Sequence, residues 1–174
     1  MSDNEILNDK KLTLQGKREE NSNGAPRFLV GVYKGMPNFS VFVNSKDDDG
    51  KPIRVGMDLV IWNALKQLVH QVIREREPSQ AYQIPNRKGP PGKTHVDSHL
   101  FLGRDKDGLI YIAVKKEGKK TVPFHFLPTT YWDLLDGKGN PIPEMDKSEL
   151  VAAAWFETID KQLTRAAAET YEPP

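Results

Sequence analysis

Apolar and polar residues alternate along two stretches of the chain that follow the same order. The first runs Phe28-Leu-Val-Gly-Val-Tyr-Lys-Gly35, Phe39-Ser-Val-Phe-Val43, a polar turn at Asp47-Asp-Asp-Gly50, and Val55 to Leu59, closed by Trp62-Asn-Ala-Leu65. The second runs Leu100 to Gly108, Leu109-Ile-Tyr-Ile-Ala-Val114, a turn at Lys116-Glu-Gly118, and Val122 to Leu127, closed by Trp132-Asp-Leu-Leu135. Period-two alternation between Gly turns marks strands, and each Trp-x-x-Leu reads as a helix start. The pattern predicts an α+β fold of two strand-rich ββββα-like repeats, 27–77 and 96–137, forming antiparallel sheets with packed helices, plus a C-terminal helix.

Two helices carry the clearest periodicity. Leu59, Trp62, Leu65, Val69, Val72 and Ile73 recur at spacings of three and four, which predicts a helix from about Leu59 to Arg76 with Asp58 as N-cap and Pro78 as its stop. Ser148 as cap, with Glu149 in the first turn, opens a second over 148–168, whose face is Val151, Trp155, Ile159 and Leu163. Residues 83–95, rich in Pro and Gly, read as an irregular basic linker between the repeats. Asp136 to Asn140 reads as a turn. The polar residues 1–26 read as a disordered tail or short arm and 171–174 as a frayed tail, leaving 27–170 as a single globular domain.

Strand alternation also assigns faces. In Leu109–Val114, Ile110, Ile112 and Val114 share one face and should pack under the helices, which leaves Tyr111 on the open face near Lys115, Lys116, Lys119 and Lys120. In Phe39–Val43, one of Phe39 and Phe42 should face away from the core. An exposed ring among cations suits single strands, because bases stack on rings while Lys and Arg neutralise phosphates. A duplex offers no free base faces.

Composition changes this picture little, and charge changes it more. A chain of 174 residues with 37% hydrophobic content and 28% charge suits one ordinary domain. Without cysteine, disulfides and Cys-ligated zinc are excluded. No apolar run reaches the ~18 residues of a membrane span, and Met1 to Glu20 lacks a secretory apolar segment. The expected setting is intracellular: cytoplasm, nucleoid, or a host cytoplasm if the chain is viral. The net charge of +1 hides an asymmetry. Nine basic and four acidic residues give +5 from Ile84 to Phe126, and four basic and nine acidic give −5 from Leu127 to Pro174. Such a dipolar chain can hold a polyanion on one face and stay soluble.

The segment Phe28 to Leu65, with its basic Gly-turned β region running into Gly56-Met-Asp-Leu59 and Trp62-x-x-Leu65, resembles the transcription-coactivator fold of positive cofactor four and the related plant Whirly proteins. With two units over about Arg27 to Gly137, the chain is most similar to the Whirly arrangement, and phage-encoded single-strand binders are of the same type. The Whirly Lys-Gly-Lys-Ala-Ala-Leu-like element is absent, with only Tyr33-Lys34-Gly35 near it. The resemblance implies a sheet that binds single-stranded DNA in replication, recombination or transcription. It implies phosphate contacts at Lys34, Lys51, Arg54, Arg104, Lys115, Lys116, Lys119 and Lys120, with Phe39, Phe42 and Tyr111 as stacking rings. The cations Arg87, Lys88 and Lys93 could fold over a bound strand, while Trp62 and Trp132 are expected to anchor helices to the sheet.

His95-Val-Asp97-Ser-His99 places two imidazoles and a carboxylate at period two, residue types that suit zinc or manganese. Residues two apart on one strand lie about 7 Å apart, so a neighbouring strand would have to supply ligands. Ordinary polar strand residues are the preferred reading, with no metal and no cofactor. No Glu-x-Lys nuclease element, Ser-His-Asp signature or P-loop spacing is present, so a non-enzymatic protein is expected. The expected partners are single-stranded DNA, with RNA as the alternative, further copies of the chain, and a replication or transcription enzyme recruited by the acidic C-terminal segment. The alternative function is a non-catalytic protein–protein interaction or assembly module.

Overall fold

A computed structural model describes residues 4–6, 12–22, 24–77, 80–128 and 132–170. Pro78, expected to stop the first helix, and the expected tail 171–174 lie outside the described residues. The first sheet holds β1 (Asn4–Ile6), β2 (Leu14–Gln15), β3 (Arg27–Tyr33), β4 (Met36–Phe42) and β5 (Ile53–Gly56). Its order is β1-β3-β4-β5, with β2 sharing the β1 side of β3. The helix α1 (Leu59–Arg74) follows. The second sheet holds β6 (Tyr82–Lys88), β7 (His95–Arg104), β8 (Ile110–Lys115) and β9 (Phe124–His125) in sequential order. The helix α2 (Glu144–Thr170) closes the described chain. Every pairing is antiparallel, so the fold is α+β, with two sheets each followed by a helix.

Both sheets bury one face in a common aromatic core. Phe28, Val30 and Val32 of β3 face Phe39 and Val41 of β4, while Leu100 and Leu102 of β7 join Ile110, Ile112 and Val114 of β8. Phe28 touches Phe39 at 4.9 Å and Phe124 of the other sheet at 5.5 Å between ring centres. Trp62 of α1 stacks on Phe156 of α2 at 5.6 Å, and its indole N–H donates to Asp160 Oδ1 at 3.0 Å. Trp62 thus anchors a helix as expected. Asp58 caps α1 by accepting from the Ile61 N–H at 2.8 Å, as its side-chain type dictates.

Four expectations about the elements change. Part of the segment assigned to a tail is built into the fold: Leu12 is buried, its carbonyl accepts from the Trp155 indole at 2.9 Å, and Leu14–Gln15 pair with Phe28 and Arg27 of the first sheet. The linker 83–95 is a hairpin of β6 and β7. Pro85 is tolerated because β6 is an edge strand, where a missing N–H costs no ladder bond. The turn Gly89–Thr94 needs its glycines, since Gly89 (φ 114°) carrying a Cβ would meet the Lys93 carbonyl at 2.9 Å. Trp132 starts no helix; it is 77% exposed before a small hairpin in which Leu135 bridges Pro141 around the expected Asp136–Asn140 turn. Ser148 is not a cap either. The helix begins after Pro143, and the buried Ser148 hydroxyl accepts from the Ile110 N–H at 2.8 Å, tying α2 to β8. Among the described residues no helix is long and apolar enough to cross a membrane.

Candidate nucleic-acid interface

Alternation turns every second residue of the second sheet away from the core. On β7 these are Asp97, His99, Phe101 and Gly103, and on β8 Tyr111, Ala113 and Lys115. Gln83 and Pro85 extend the face on β6 and His125 on β9. Cross-strand register sets His125 beside Tyr111, Ala113 beside Phe101, and Lys115 beside His99. The rings come in two pairs: Tyr111 and His125 lie 6.1 Å apart, and Phe101 and His99 lie 6.3 Å apart. Because Gly103 faces Tyr111, Phe101 is the diagonal neighbour of Tyr111 and the pairs form one oblique row.

Hydrogen bonds hold the ends of this row. Asp105 accepts from the N–H groups of Asp107 and Leu109, which shapes the β7–β8 turn, and its other oxygen meets His125 Nε2 at 2.8 Å. Burial, and then the charge of Asp105, push the Tyr111 phenol up, so its ring stays neutral and its hydroxyl a donor. At the opposite end Asp97 sits between two lysines, 3.2 Å from Lys88 Nζ and 3.3 Å from Lys116 Nζ. Burial disfavours its charge, but the two ammonium groups outweigh that and hold the carboxyl below the usual range.

The first sheet has a smaller face of the same kind. Arg27 lies over the Phe42 ring at 5.0 Å and Lys34 over the Tyr33 ring at 5.4 Å. Arg54 is exposed opposite Ser40. A recess of about 230 Å³ at the end of this sheet is lined by Tyr33, Met36, Asn38, Met57 and Asp58, among others, but the Asp58 carboxylate is occupied in capping α1.

The expected site residues divide into three groups. Phe42 and Tyr111 reach open faces, and Lys34, Lys51, Arg54, Arg87, Lys93 and Lys115 are exposed and form no ion pair among the described residues. Lys88 and Lys116 share Asp97, and Lys120 pairs with Glu19. Phe39, Arg104 and Lys119 are removed from any interface. Phe39 has no exposed surface because it belongs to the inward set of β4, packed on Phe28, Trp62 and Trp155. The Arg104 side chain is 2% exposed and spans the C-terminal end of α1, the Gly108 carbonyl and Glu149. Lys119, 11% exposed, pins the loop before β5 through Asp48, Asp49 and the Lys51 carbonyl.

Phe101, His99, His125 and Arg27 escaped the sequence reading as interface residues. The signal for Phe101 was present: Leu100 and Leu102, both apolar and two apart, claim the inner face and turn Phe101 outward. As a metal centre the His95/Asp97/His99 strand gains no support, since Asp97 is held by lysines and no group of three such ligands occurs among the described residues. Comparison of the chain with protein-family models, curated proteins and solved structures returns no match.

Proposed function

We propose that this protein binds single-stranded nucleic acid, DNA before RNA, on the open face of its second sheet and catalyses no reaction. The observation that carries the reading is the oblique row of Tyr111, His125, Phe101 and His99 beside Lys115, which forms no ion pair among the described residues, on a sheet whose other face gives Leu100, Leu102, Ile110, Ile112 and Val114 to the core. Stacking on such rings is worth roughly 1–3 kcal/mol per base and tolerates any sequence. Lys115, with Arg87 and Lys93 on the adjoining hairpin, supplies positive charge for phosphates. Single-strand handling in replication, recombination or transcription is the corresponding role, in an intracellular setting.

One observation favours a second reading, a protein–protein module that assembles with its own copies or with a replication or transcription enzyme. Trp132 and Leu135 are both exposed on the acidic C-terminal segment. Titration of a fluorescent oligo-dT and of an equally long duplex at two salt concentrations separates the two. The first reading expects tight, salt-sensitive binding of oligo-dT and weak duplex binding. Absence of binding to both overturns it and leaves the interaction module.

A further inference from the structure

Asp97 occupies a singular place in the second sheet. Register along β6 and β7 is regular from Tyr82↔Leu102 to Asn86↔Ser98 and then jumps to Arg87↔Val96, so Asp97 is the extra residue of a β-bulge and has no partner across the ladder. Bulges re-aim side chains, and this one sets a carboxylate, 14% exposed, between an ammonium of the neighbouring strand and one just beyond β8. Lys88 Nζ meets Oδ2 of that carboxylate, Lys116 Nζ reaches both Oδ1 at 3.3 Å and Oδ2 at 3.5 Å, and both lysines stay partly open to solvent. Two ammonium groups on either side of one pair of anionic oxygens is also the arrangement that receives a phosphodiester, whose two free oxygens carry a single charge. The bridge adjoins the ring row, because Asp97 lies two residues from His99 on the same face, and His99 is the cross-strand neighbour of Lys115.

We propose that Lys88 and Lys116 form a clamp for one backbone phosphate and that Asp97 is its resident counter-ion, displaced when a strand binds. This rests on the single-strand-binding reading of the second sheet and adds to it the position of one phosphate and a brake on affinity. The carboxylate keeps the lysines together and costs every incoming polyanion the breaking of two ion pairs. Weak or short polyanions are thereby rejected, while a strand that also stacks on the rings can displace Asp97.

The test uses the full chain with two probes, oligo-dT and inorganic polyphosphate, which has the charges without the bases. Asp97→Asn keeps the shape and removes the counter-ion, and it should raise affinity for both probes by about ten-fold, as two charge-assisted bonds are released. Glu157→Gln, on the solvent side of α2, removes the same formal charge elsewhere and should change affinity by less than about two-fold. In a Lys88→Gln/Lys116→Gln background the Asp97→Asn gain should vanish, which a general charge effect or a structural role of Asp97 would not produce. Unchanged or weakened binding by Asp97→Asn, or a gain that survives in the double-lysine background, overturns the clamp. If Asp97→Asn does not fold, the double-lysine variant decides alone: full retention of oligo-dT affinity overturns the proposal. A gain for polyphosphate while no variant binds oligo-dT upholds the clamp and sinks the strand-binding reading.

Discussion

Replacing Arg104 by alanine separates a core role from a surface role for this cation. Its Nε donates to the Val72 and Glu75 carbonyls, both at 3.2 Å, and Nη1 donates to the Gly108 carbonyl at 2.7 Å. Its Nη2 donates to the Ile73 carbonyl at 3.2 Å and to Glu149 at 2.6 Å. The last carbonyls of a helix have no partner within it, so Arg104 serves as the C-terminal cap of α1 from a neighbouring sheet. Truncation removes five donated bonds and the packed stem together. Breaking a buried pair by deleting one partner costs about 3–5 kcal/mol. Glu149 keeps Arg76, which places the loss towards the lower end of that range. For a chain of this length each kcal/mol moves Tm by about 2–4 °C, so a loss of about 3 kcal/mol should make Arg104→Ala melt roughly 6–12 °C lower. Arg104→Lys keeps the charge but not the planar fork, and should recover less than half of the loss. Scanning calorimetry reads both, and oligo-dT affinity measured well below the transition should stay unchanged. A Tm within about 2 °C of the parent, together with a fall in affinity, would refute the core assignment and return Arg104 to the phosphate contacts.

The rings divide in the same way. Phe101→Ala and Tyr111→Ala should each weaken oligo-dT binding by about 1–3 kcal/mol with little change in melting. Phe39→Ala should instead cost about 3–5 kcal/mol of stability, with calorimetry and anisotropy titration giving the two readouts. Among the lysines, Lys115→Ala should lower the slope of log affinity against log salt by about 0.7 and leave Tm in place, whereas Lys119→Ala should lower Tm without changing that slope. Glu149 governs an acid limb. The Arg76 hydrogen bond, opposed by burial and aided by Arg104, holds its carboxyl below the ordinary value. Its stabilisation is therefore complete above the unfolded value of about 4.3 and is lost as pH falls through the depressed folded value. Denaturant midpoints measured from pH 6 downward should drop steeply below about pH 4, and Glu149→Gln, less stable at neutral pH, should show a flatter limb.

Local pattern determined a good deal about this protein without any coordinates. The α+β class, the presence of two antiparallel sheets and two helices, the Asp58 cap and the core faces of α1 and β8 follow from periods of 3.6 and 2 and from capping chemistry, which act over a few residues. Such periods also decide that one of Phe39 and Phe42 points out, but not which one. That choice belongs to the register of β4 against β3 and β5, where Phe42 meets Arg27 across the ladder and Phe39 meets Val30. Strands made of polar or proline-bearing sequence were illegible, because Leu14–Gln15 and Tyr82–Lys88 are edge segments that take their shape from a partner rather than from their own residues. Charge was the least legible of all. A lysine or arginine reads the same in sequence whether it faces solvent or a carboxylate far along the chain. Only the tertiary structure brought Asp48 and Asp49 to Lys119, Glu149 to Arg104, and Asp97 between Lys88 and Lys116. Periodicity is a property of one segment, whereas an ion pair needs two segments to meet, and where they meet is settled by the packing of the whole core.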